Sequence, residues 1–400
     1  MNEYPIIYLN SNDGSGFLAF GDGPIFVKEE GVSIEAIQDF IDGHAGQYLF
    51  GHLGYDLKND FYALTSANTD QLNFPDTFLW APKYVVKIVK DHFEFLQGKK
   101  TTESFDFLNH FIKEAKDHDF NQYNYTFKAR ISKDEYIAKV IKLKNHIQQG
   151  DIYEVNFCQE FYAEDVEINF PMDTYFRLND LTHAPFSSYY QFGDYAAFCG
   201  SPERFLKKEG PKLISQPIKG TAPRGASLEA DEIFKNSLQN DPKERAENTM
   251  IVDLVRNDLS RVAEKDSVKV EEYCAIYSFD TVHQMISTIS CEVKSEVTFT
   301  DILRATFPMG SMTGAPKLRA MELIEENESF KRGLYSGSIG YIAPNGDFDF
   351  NVVIRSLLYN TENRYLSCSV GGAITIQSDP EKEYEECMVK VKRIMDGMNG

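Results

Sequence analysis

Two pairs of glutamate residues, each pair three positions apart, are the first candidates for chemistry in this sequence. Glu244 and Glu247 lie in a helix predicted to begin at Asp241, which supplies the cap and is followed by proline. Glu383 and Glu386 lie in the last predicted helix, near residue 400. Burying carboxylates requires a compensating cation, and carboxylate oxygens from two helices suit Mg²⁺. From spacing alone, two solvated acidic helix faces are the commoner explanation.

Three basic residues stand in apolar segments. Lys219 lies between isoleucine and glycine; most such lysines are surface residues, and a nucleophilic one needs a pKa lowered by burial or by a nearby cation. Arg355 falls inside an apolar strand predicted over residues 350–358, so it lies at a sheet edge, extends its head to water, or faces an anionic ligand. His283 lies on another predicted strand, where a hydrogen-bonded core histidine is commoner than a catalyst.

A segment punctuated by glycines, Gly310–Lys317, opens a helix predicted to run to about Glu326. A loop of this kind before a helix presents free N–H groups and the positive end of the helix dipole, which favour a carboxylate or phosphate. The spacing of a phosphate-binding P-loop is absent. A purely structural turn is an equally good interpretation.

Mixed hairpins and helices must position these residues. The pattern predicts helices over 33–43 and 132–150, strands over 84–89, 153–162, 187–192 and 196–200, and a helical connection from about 99 to 130. Since strands and helices do not alternate regularly, the fold class is α+β. No linker rich in proline, glycine or serine interrupts the chain, so we expect one continuous, interwound core.

Composition restricts the possible partners and the compartment. A formal net charge of -20 over 400 residues disfavours nucleic acid and anionic membrane surfaces. The first five residues show neither the basic nor the apolar region of a secretory signal, and no apolar run approaches the roughly 18 residues of a membrane span. The six cysteines form no CxxC pair, which favours reduced, buried thiols. We therefore expect a cytoplasmic protein.

Several segments, in this order and spacing, resemble the chorismate-utilising enzymes, a family that includes anthranilate, aminodeoxychorismate, isochorismate and salicylate synthases. The resemblance is firm over about residues 125–398 and looser before them. The matching segments are Gly150–Tyr153, Ser201–Phe205, Pro217–Thr221, Glu247–Asp258, Thr313–Lys317, Gly337–Tyr341, Ile354–Arg355 and Gly371–Ala373. The resemblance implies a strand-rich N-terminal region over 1–125, interwound with a chorismate-binding catalytic domain over 126–400. It implies large, mostly antiparallel sheets, packed together and flanked by helices.

The resemblance also implies roles for individual residues. Glu247 and Glu386 would ligate Mg²⁺, with Glu244 and Glu383 close by, and the metal would hold the ring carboxylate of chorismate. Lys390 would support this acidic cluster. The enolpyruvyl carboxylate would bind Tyr335, Arg355 and the backbone near Gly371, Gly372 and Ala373, while Ser311, Thr313 and Gly314 would line the ring. Glu203 is the candidate general acid, and His283 matches a position that handles protons in relatives that expel pyruvate.

Lys219 indicates the subgroup. Aminodeoxychorismate synthases typically carry Pro-Ile-Lys-Gly-Thr, as in residues 217–221 here, whereas anthranilate synthases typically carry alanine in place of the lysine. The implied reaction is amination of chorismate to 4-amino-4-deoxychorismate through a covalent lysine adduct. Because no glutaminase motif is present, ammonia would come from a separate glutamine amidotransferase subunit or from solution. The alternatives are anthranilate synthase component I, an isochorismate or salicylate synthase, and a non-catalytic scaffold of the same fold.

Overall fold

Two large antiparallel sheets and the helices around them make up the protein. The computed structural model describes residues 4–28, 31–90, 92–116 and 125–399. Two sets of residues that the sequence analysis covers lie outside the described residues. They are residues 1–3, in the N-terminal segment without a secretory signal pattern, and residues 117–124, in the predicted helical connection.

The described strands, numbered along the chain, are β1 (Ile6–Asn10), β2 (Ser15–Phe20), β3 (Ile25–Val27), β4 (Leu49–Leu53), β5 (Thr77–Trp80), β6 (Tyr84–Val89), β7 (His92–Gln97), β8 (Lys128–Ala129), β9 (Glu154–Ala163), β10 (Phe186–Phe192), β11 (Tyr195–Ser201), β12 (Arg204–Glu209), β13 (Lys212–Gln216), β14 (Ile218–Pro223), β15 (Lys269–Ser278), β16 (Val282–Glu292), β17 (Gly314–Ala315), β18 (Ser338–Ile342), β19 (Phe348–Asn351), β20 (Ser356–Asn360) and β21 (Tyr365–Ile374). The helices are α1 (Glu35–Gly43), α2 (Lys58–Tyr62), α3 (Thr102–Lys116), α4 (Lys133–Gln149), α5 (Pro171–Thr182), α6 (Leu228–Asn240), α7 (Pro242–Ser260), α8 (Phe299–Thr306), α9 (Lys317–Asn327) and α10 (Pro380–Asn399).

The first sheet has the order β17-β9-β21-β20-β11-β10-β1-β2-β6-β7, with β8 on β9. The second has the order β14-β16-β13-β12-β19-β18-β4-β5-β3, with β15 on β16. Strands from residues before 125 join both sheets. In the first sheet β1 pairs with β10, and in the second β4 pairs with β18. The architecture confirms the α+β class with large antiparallel sheets flanked by helices.

Two apolar cores hold this arrangement together. One fills the space between the sheets, where Leu79 and Phe350 of the second sheet meet Cys199 and Leu358 of the first. The other covers the outer face of the first sheet with α4, α5 and α10, and Val140 and Val391 are among its buried residues. Since apolar burial stabilises by roughly 25 cal/mol per Å², both faces of the first sheet contribute to the folding free energy.

The chain crosses between the two sheets at two adjacent places. Residues 202–203 join β11 of the first sheet to β12 of the second, and residues 352–355 join β19 back to β20. The Val352 amide donates to the Glu203 carbonyl between the two crossings (3.0 Å), and the Gly200 amide near the end of β11 donates to the Arg355 carbonyl of the second crossing (3.2 Å). The continuous strand predicted over 350–358 is therefore wrong, because its apolar centre is a crossing between layers.

Most other predicted elements are confirmed. Helix α1 and strand β6 coincide with the predicted segments, and the Ser132 side chain caps α4 by accepting a hydrogen bond from the Glu135 amide at 3.2 Å. The predicted connection over 99–130 contains α3, but its far end is the short strand β8. Within the described ranges, no helix is both long and apolar enough to cross a membrane.

Candidate active site

A cavity of about 620 Å³ lies between β14, the edge strand of the second sheet, and β21 of the first, with α7 and α10 contributing to its walls. The two crossings between the sheets also open into it. Thirteen of the sequence-predicted site residues line this one cavity: Glu203, Lys219, Glu244, Glu247, Ser311, Tyr335, Arg355, Gly371, Gly372, Ala373, Glu383, Glu386 and Lys390. Residues from eight separate segments of the chain thus converge on one site.

Glu203 lies on the first crossing and is buried at the cavity wall. Its Oε1 accepts a hydrogen bond of 2.6 Å from Ser311 Oγ. Burial raises the pKa of the Glu203 carboxyl to about 7, although the Ser311 hydrogen bond and the charge of Lys219 favour the ionised form. A carboxyl with this pKa holds a proton part of the time at neutral pH, as a general acid must.

Lys219 reaches the cavity from an irregular point of β14. The pairing of β14 with β16 shifts register between Ile218 and Thr221, and Gly220 there adopts a φ of 94° that favours glycine. Lys219 is buried, and its Nζ donates a hydrogen bond of 2.8 Å to Glu154 Oε1. Burial lowers the pKa of the Lys219 ammonium, but the charges of Glu154 and Glu247 outweigh burial and raise it above its usual value. Beside these carboxylates the amine is held as an ammonium, whereas a nucleophile must be neutral.

The four predicted metal-binding glutamates face one another from two helices. α7 carries Glu244 and Glu247, following the Asp241 cap, whose side chain accepts hydrogen bonds from two amides of the first turn, and α10 carries Glu383 and Glu386. Burial raises the pKa of Glu247 to about 7 and also raises that of Glu244, which is the signature of carboxylates held away from water without enough positive charge.

Two lysines neutralise part of this acidic cluster. Lys243 Nζ donates a hydrogen bond to Glu383 Oε1 at 3.2 Å and lies 3.8 Å from Glu247 Oε1. Lys390 Nζ lies 2.8 Å from Glu386 Oε1, and its charge lowers the pKa of Glu386 against the opposing effect of burial. Within the described part of the chain, Glu247 Oε1 is buried and has no hydrogen-bond partner.

This donor set fits an open magnesium site better than a closed one. Among the described residues, no group of three or more histidine, cysteine, aspartate or glutamate side chains is close enough together to hold a metal by itself. Mg²⁺ often takes only one or two carboxylates and completes its octahedron with water and substrate oxygens. The unpartnered Glu247 oxygen and the carboxylate of Glu386 on the opposite helix suit that kind of binding.

Arg355 presents a free cation to the cavity. It lies on the second crossing with a φ of 52°, a backbone conformation that costs a non-glycine residue roughly 1 kcal/mol or more. In the part of the chain that the structure describes, its guanidinium forms no ion pair with a carboxylate within 4.0 Å. Burial and the charge of Arg393 lower the pKa of Arg355, while the charge of Glu203 opposes them. A strained, unpaired arginine facing a cavity is suited to an anionic ligand.

The glycine-rich end of β21 forms another wall. Gly371, Gly372 and Ala373 pair with β9, but the pairing of β21 with β20 on the other side ends at Ser367 in the described structure. Part of their backbone is therefore free to face the cavity, as a carboxylate-binding role requires. The Gly371 carbonyl accepts a hydrogen bond of 3.1 Å from Lys390 Nζ, which ties this strand to the acidic cluster.

Thr313 and Gly314 do not line the cavity. The Thr313 hydroxyl donates to the Met309 carbonyl at 3.2 Å, and Gly314 lies in β17, paired with β9. A side chain at Gly314 would collide with the Glu154 carbonyl, so this glycine permits close contact between strands. The predicted glycine loop that opens directly into a helix is therefore replaced by a 3-10 turn (Gly310–Met312) and a short strand, and Ser311 and Met312 of the turn line the cavity.

His283 is also absent from the cavity wall. The side chain is fully buried in β16, between Ser278 Oγ at 2.8 Å from Nδ1 and Asp231 Oδ1 at 3.0 Å from Nε2. Both ring nitrogens therefore have partners within the protein. The structure places it as a hydrogen-bonded core histidine that links β16 to α6.

Sequence reasoning missed Glu154, the partner of Lys219. Glu154 begins β9 directly after the Gly150–Tyr153 segment and is 1% exposed. The signal was present, because an acidic side chain in a strand that also carries Val155, Phe157 and Phe161 needs a partner when it is buried. The sequence held no indication that this partner would be Lys219, 65 positions away.

Residues 27–396 match the family described as chorismate binding enzyme. The chain belongs to the chorismate-binding enzyme family. Among curated relatives, aminodeoxychorismate synthase component 1 of Salmonella typhimurium is 36% identical over 86% of this chain and 75% of the relative. The protein of that name from Klebsiella aerogenes is 40% identical over 67% of this chain, which spans 59% of that relative's length. The crystal structure of anthranilate synthase component I from Streptococcus pneumoniae superposes with a TM-score of 0.82, at 26% identity over 95% of this chain and 92% of that one.

Proposed function

We propose that this chain aminates chorismate at ring carbon C4, giving 4-amino-4-deoxychorismate through a covalent intermediate on Lys219. The observation that carries the proposal is the placement of a buried lysine in the same cavity as Glu203, a carboxyl whose pKa of about 7 suits a general acid. The curated relatives named aminodeoxychorismate synthase support the substrate and the product.

The steps follow from the positions of the side chains. The neutral Lys219 amine attacks C2, the ring double bonds shift, and the C4 hydroxyl leaves as water with a proton from Glu203. Ammonia then attacks C4, the double bonds shift back, and the bond from C2 to the lysine nitrogen breaks. Ser311 keeps the Glu203 carboxyl oriented through its 2.6 Å hydrogen bond. Two displacements therefore leave nitrogen at C4, whereas a single attack by ammonia at C2 leads to anthranilate.

Binding of a dianionic substrate is assigned to two ends of the cavity. Arg355, Tyr335 and the free backbone of Gly371–Ala373 would hold the enolpyruvyl carboxylate. Glu247 and Glu386, with Glu244 and Glu383 nearby, would hold Mg²⁺, which when bound supplies positive charge for the ring carboxylate. Lys390 would keep Glu386 and the Gly371 carbonyl in place. Without such a cation, the carboxylates of α7 and α10 would repel the substrate.

Ammonia must reach this site from outside the chain. We assign its supply to a glutamine amidotransferase subunit, because no glutaminase motif was found in the sequence. We place the reaction in the cytoplasm, in accord with the sequence analysis.

Product identification tests the proposal. Supplied with chorismate, ammonia and Mg²⁺, the purified chain should form 4-amino-4-deoxychorismate and little anthranilate, because Lys219 directs nitrogen to C4. Chromatography measures anthranilate, and a lyase that converts 4-amino-4-deoxychorismate to p-aminobenzoate reports the expected product. Glutamine in place of ammonia should give no product unless the partner subunit is added.

Each contrary result has a definite meaning. Anthranilate as the main product would assign the chain to the anthranilate synthases. Unchanged chorismate with Mg²⁺ bound would indicate a non-catalytic scaffold. Turnover of glutamine by the chain alone would contradict the need for a partner.

The pH dependence of adduct formation tests Glu203 as the acid. With ammonia withheld, the rate of Lys219 modification should fall as pH rises through about 7, because the raised pKa of Glu203 means that its proton is lost there. Below that pH the acid form is fully present. Glu203→Gln should be slowed by about 100-fold and should lack this decline, since an amide has no proton to lose in this range. A Gln variant that reacts at the normal rate would remove Glu203 from the mechanism.

A further inference from the structure

The contact between Lys219 and Glu154 is the closest polar contact of the proposed nucleophile. Among the described residues, Lys219 Nζ donates one hydrogen bond, which has a length of 2.8 Å and is accepted by Glu154 Oε1. Glu154 is 1% exposed and lies behind Lys219, outside the cavity wall. The lysine therefore stands between a buried carboxylate and the substrate cavity.

Other charges surround the amine without contacting it. Glu247 on α7 and Glu203 on the first crossing both act on Lys219 electrostatically, but neither lies within 4.0 Å of its Nζ in the described structure. Glu203 donates a proton in the proposed reaction, and Glu247 is assigned to the metal. Of these three carboxylates, Glu154 is therefore the one that contacts the Lys219 amine and has no other role in the proposed reaction.

The geometry of Glu154 differs from that of a fully satisfied structural ion pair. Its Oε2 is buried and has no hydrogen-bond partner among the described residues. By contrast Glu160, on the same strand, accepts hydrogen bonds from Arg130 and Ser367 with its two oxygens. Glu154 therefore holds the Lys219 ammonium with one oxygen and keeps a second, buried oxygen that no other described group uses.

We propose that Glu154 is the proton acceptor that converts the Lys219 ammonium into the neutral amine that attacks chorismate. This inference rests on the proposed covalent role of Lys219. It explains how a lysine held as an ammonium beside carboxylates can act as a nucleophile.

The protons balance over one turnover. The Lys219 ammonium gives one proton to Glu154, and the neutral amine bonds to C2 while Glu203 protonates the departing hydroxyl. The adduct is then a secondary ammonium. Ammonia bonds to C4, the C2–N bond breaks with its electron pair returning to the lysine nitrogen, and Glu154 returns its proton to that amine. The new C4 ammonium supplies the proton that Glu203 lost, so chorismate and ammonia give the amino product and water.

Glu154→Gln tests this role, because glutamine has the same shape and can still accept a hydrogen bond from Lys219 but cannot take a proton. With ammonia withheld, the rate of adduct formation on Lys219 would be followed by mass spectrometry, and chorismate affinity would be measured separately. We expect adduct formation at neutral pH to be at least about 100-fold slower at unchanged chorismate affinity. Below about pH 7, where Glu203 keeps its proton, we also expect the rate of the variant to rise about tenfold per pH unit, since solvent must then remove the Lys219 proton.

Two further variants make the test specific. Glu154→Asp keeps a carboxylate and should restore part of the rate, which a purely structural role would not predict. Glu160→Gln is the matched control, since Glu160 is a buried, ion-paired glutamate of the same strand outside the cavity; it should react like the unmodified protein.

The outcomes separate this inference from the proposed function. If the unmodified protein forms the adduct and Glu154→Gln forms it equally fast with the same pH dependence, the proton-acceptor role is refuted while the covalent route stands. If the Gln variant is slowed only in proportion to a loss of chorismate affinity, Glu154 merely positions groups, and the inference is likewise refuted. If the unmodified protein forms no adduct, the covalent role of Lys219 itself fails.

Discussion

The Lys219→Ala variant is expected to aminate chorismate at C4 at least about 100-fold more slowly than the unmodified protein. This difference is equivalent to about 2.7 kcal/mol of activation free energy. The physical reason is that alanine removes the amine that blocks C2 and transfers the reaction to C4. Lys219 is one side chain of an edge strand, and its removal leaves the core between the sheets intact. The measurement is steady-state formation of 4-amino-4-deoxychorismate with ammonia, together with thermal unfolding to verify the fold.

Lys219→Arg is the matched control for charge. Arginine keeps the positive charge that faces Glu154, but its guanidinium stays protonated and cannot attack. Both variants should therefore be inactive in C4 amination, and neither should show a substrate-derived mass at residue 219. If the arginine variant keeps most of the activity, the lysine acts through its charge. Full activity of the alanine variant would disprove the covalent route.

The cluster of site residues was predicted mainly from the resemblance to the family. The residues themselves gave a weaker signal, because paired glutamates on a helix and a lysine between isoleucine and glycine are usually exposed, and an arginine in an apolar run has two structural interpretations besides a ligand. Thirteen of the predicted positions line one cavity. The roles of these residues depend on the resemblance to the family and are tested by the variants above.

The segments whose structure differs from the prediction depend on long-range pairing. Thr313 and Gly314 belong to a motif that indicates an anion-binding loop, yet the backbone of this segment is used to pair with β9. Arg355 was assigned to a strand because Val352, Val353 and Ile354 have the composition of one. Periodicity in a short apolar run does not distinguish a strand from a crossing between two sheets, since both are buried.

The partners of buried side chains, such as those of His283 and Glu154, are likewise not predictable from the sequence. The partners of His283, Ser278 and Asp231, lie on different elements, and Glu154 meets Lys219 only because the fold brings β9 of the first sheet next to β14 of the second. Sequence chemistry indicates that a buried ionisable group needs a partner. Only the folded topology shows which residue it is.

Replacing either Glu247 or Glu386 by glutamine is expected to lower Mg²⁺-dependent activity by at least about 100-fold. A single amide in place of either carboxylate removes one unit of negative charge and one strong oxygen ligand from a site that offers few of them. Titration calorimetry with Mg²⁺, carried out with and without chorismate, measures the lost affinity directly. Glu385→Gln, at a neighbouring exposed position of α10 outside the cavity, should bind Mg²⁺ and turn over normally.

The folding stability of these variants distinguishes a metal site from a structural cluster. In the metal-free protein, Glu247 carries a cost of burial and leaves Oε1 without a hydrogen bond, so it contributes little to holding α7 in place. We therefore expect Glu247→Gln to unfold at the same temperature as the unmodified protein, or a higher one, when a chelator is present. Added Mg²⁺ should raise the unfolding temperature of the unmodified protein but not that of the variant, because a ligand stabilises only the state that binds it. Loss of stability without Mg²⁺, with normal Mg²⁺-dependent turnover, would show that these glutamates hold the two helices together and do not bind the metal.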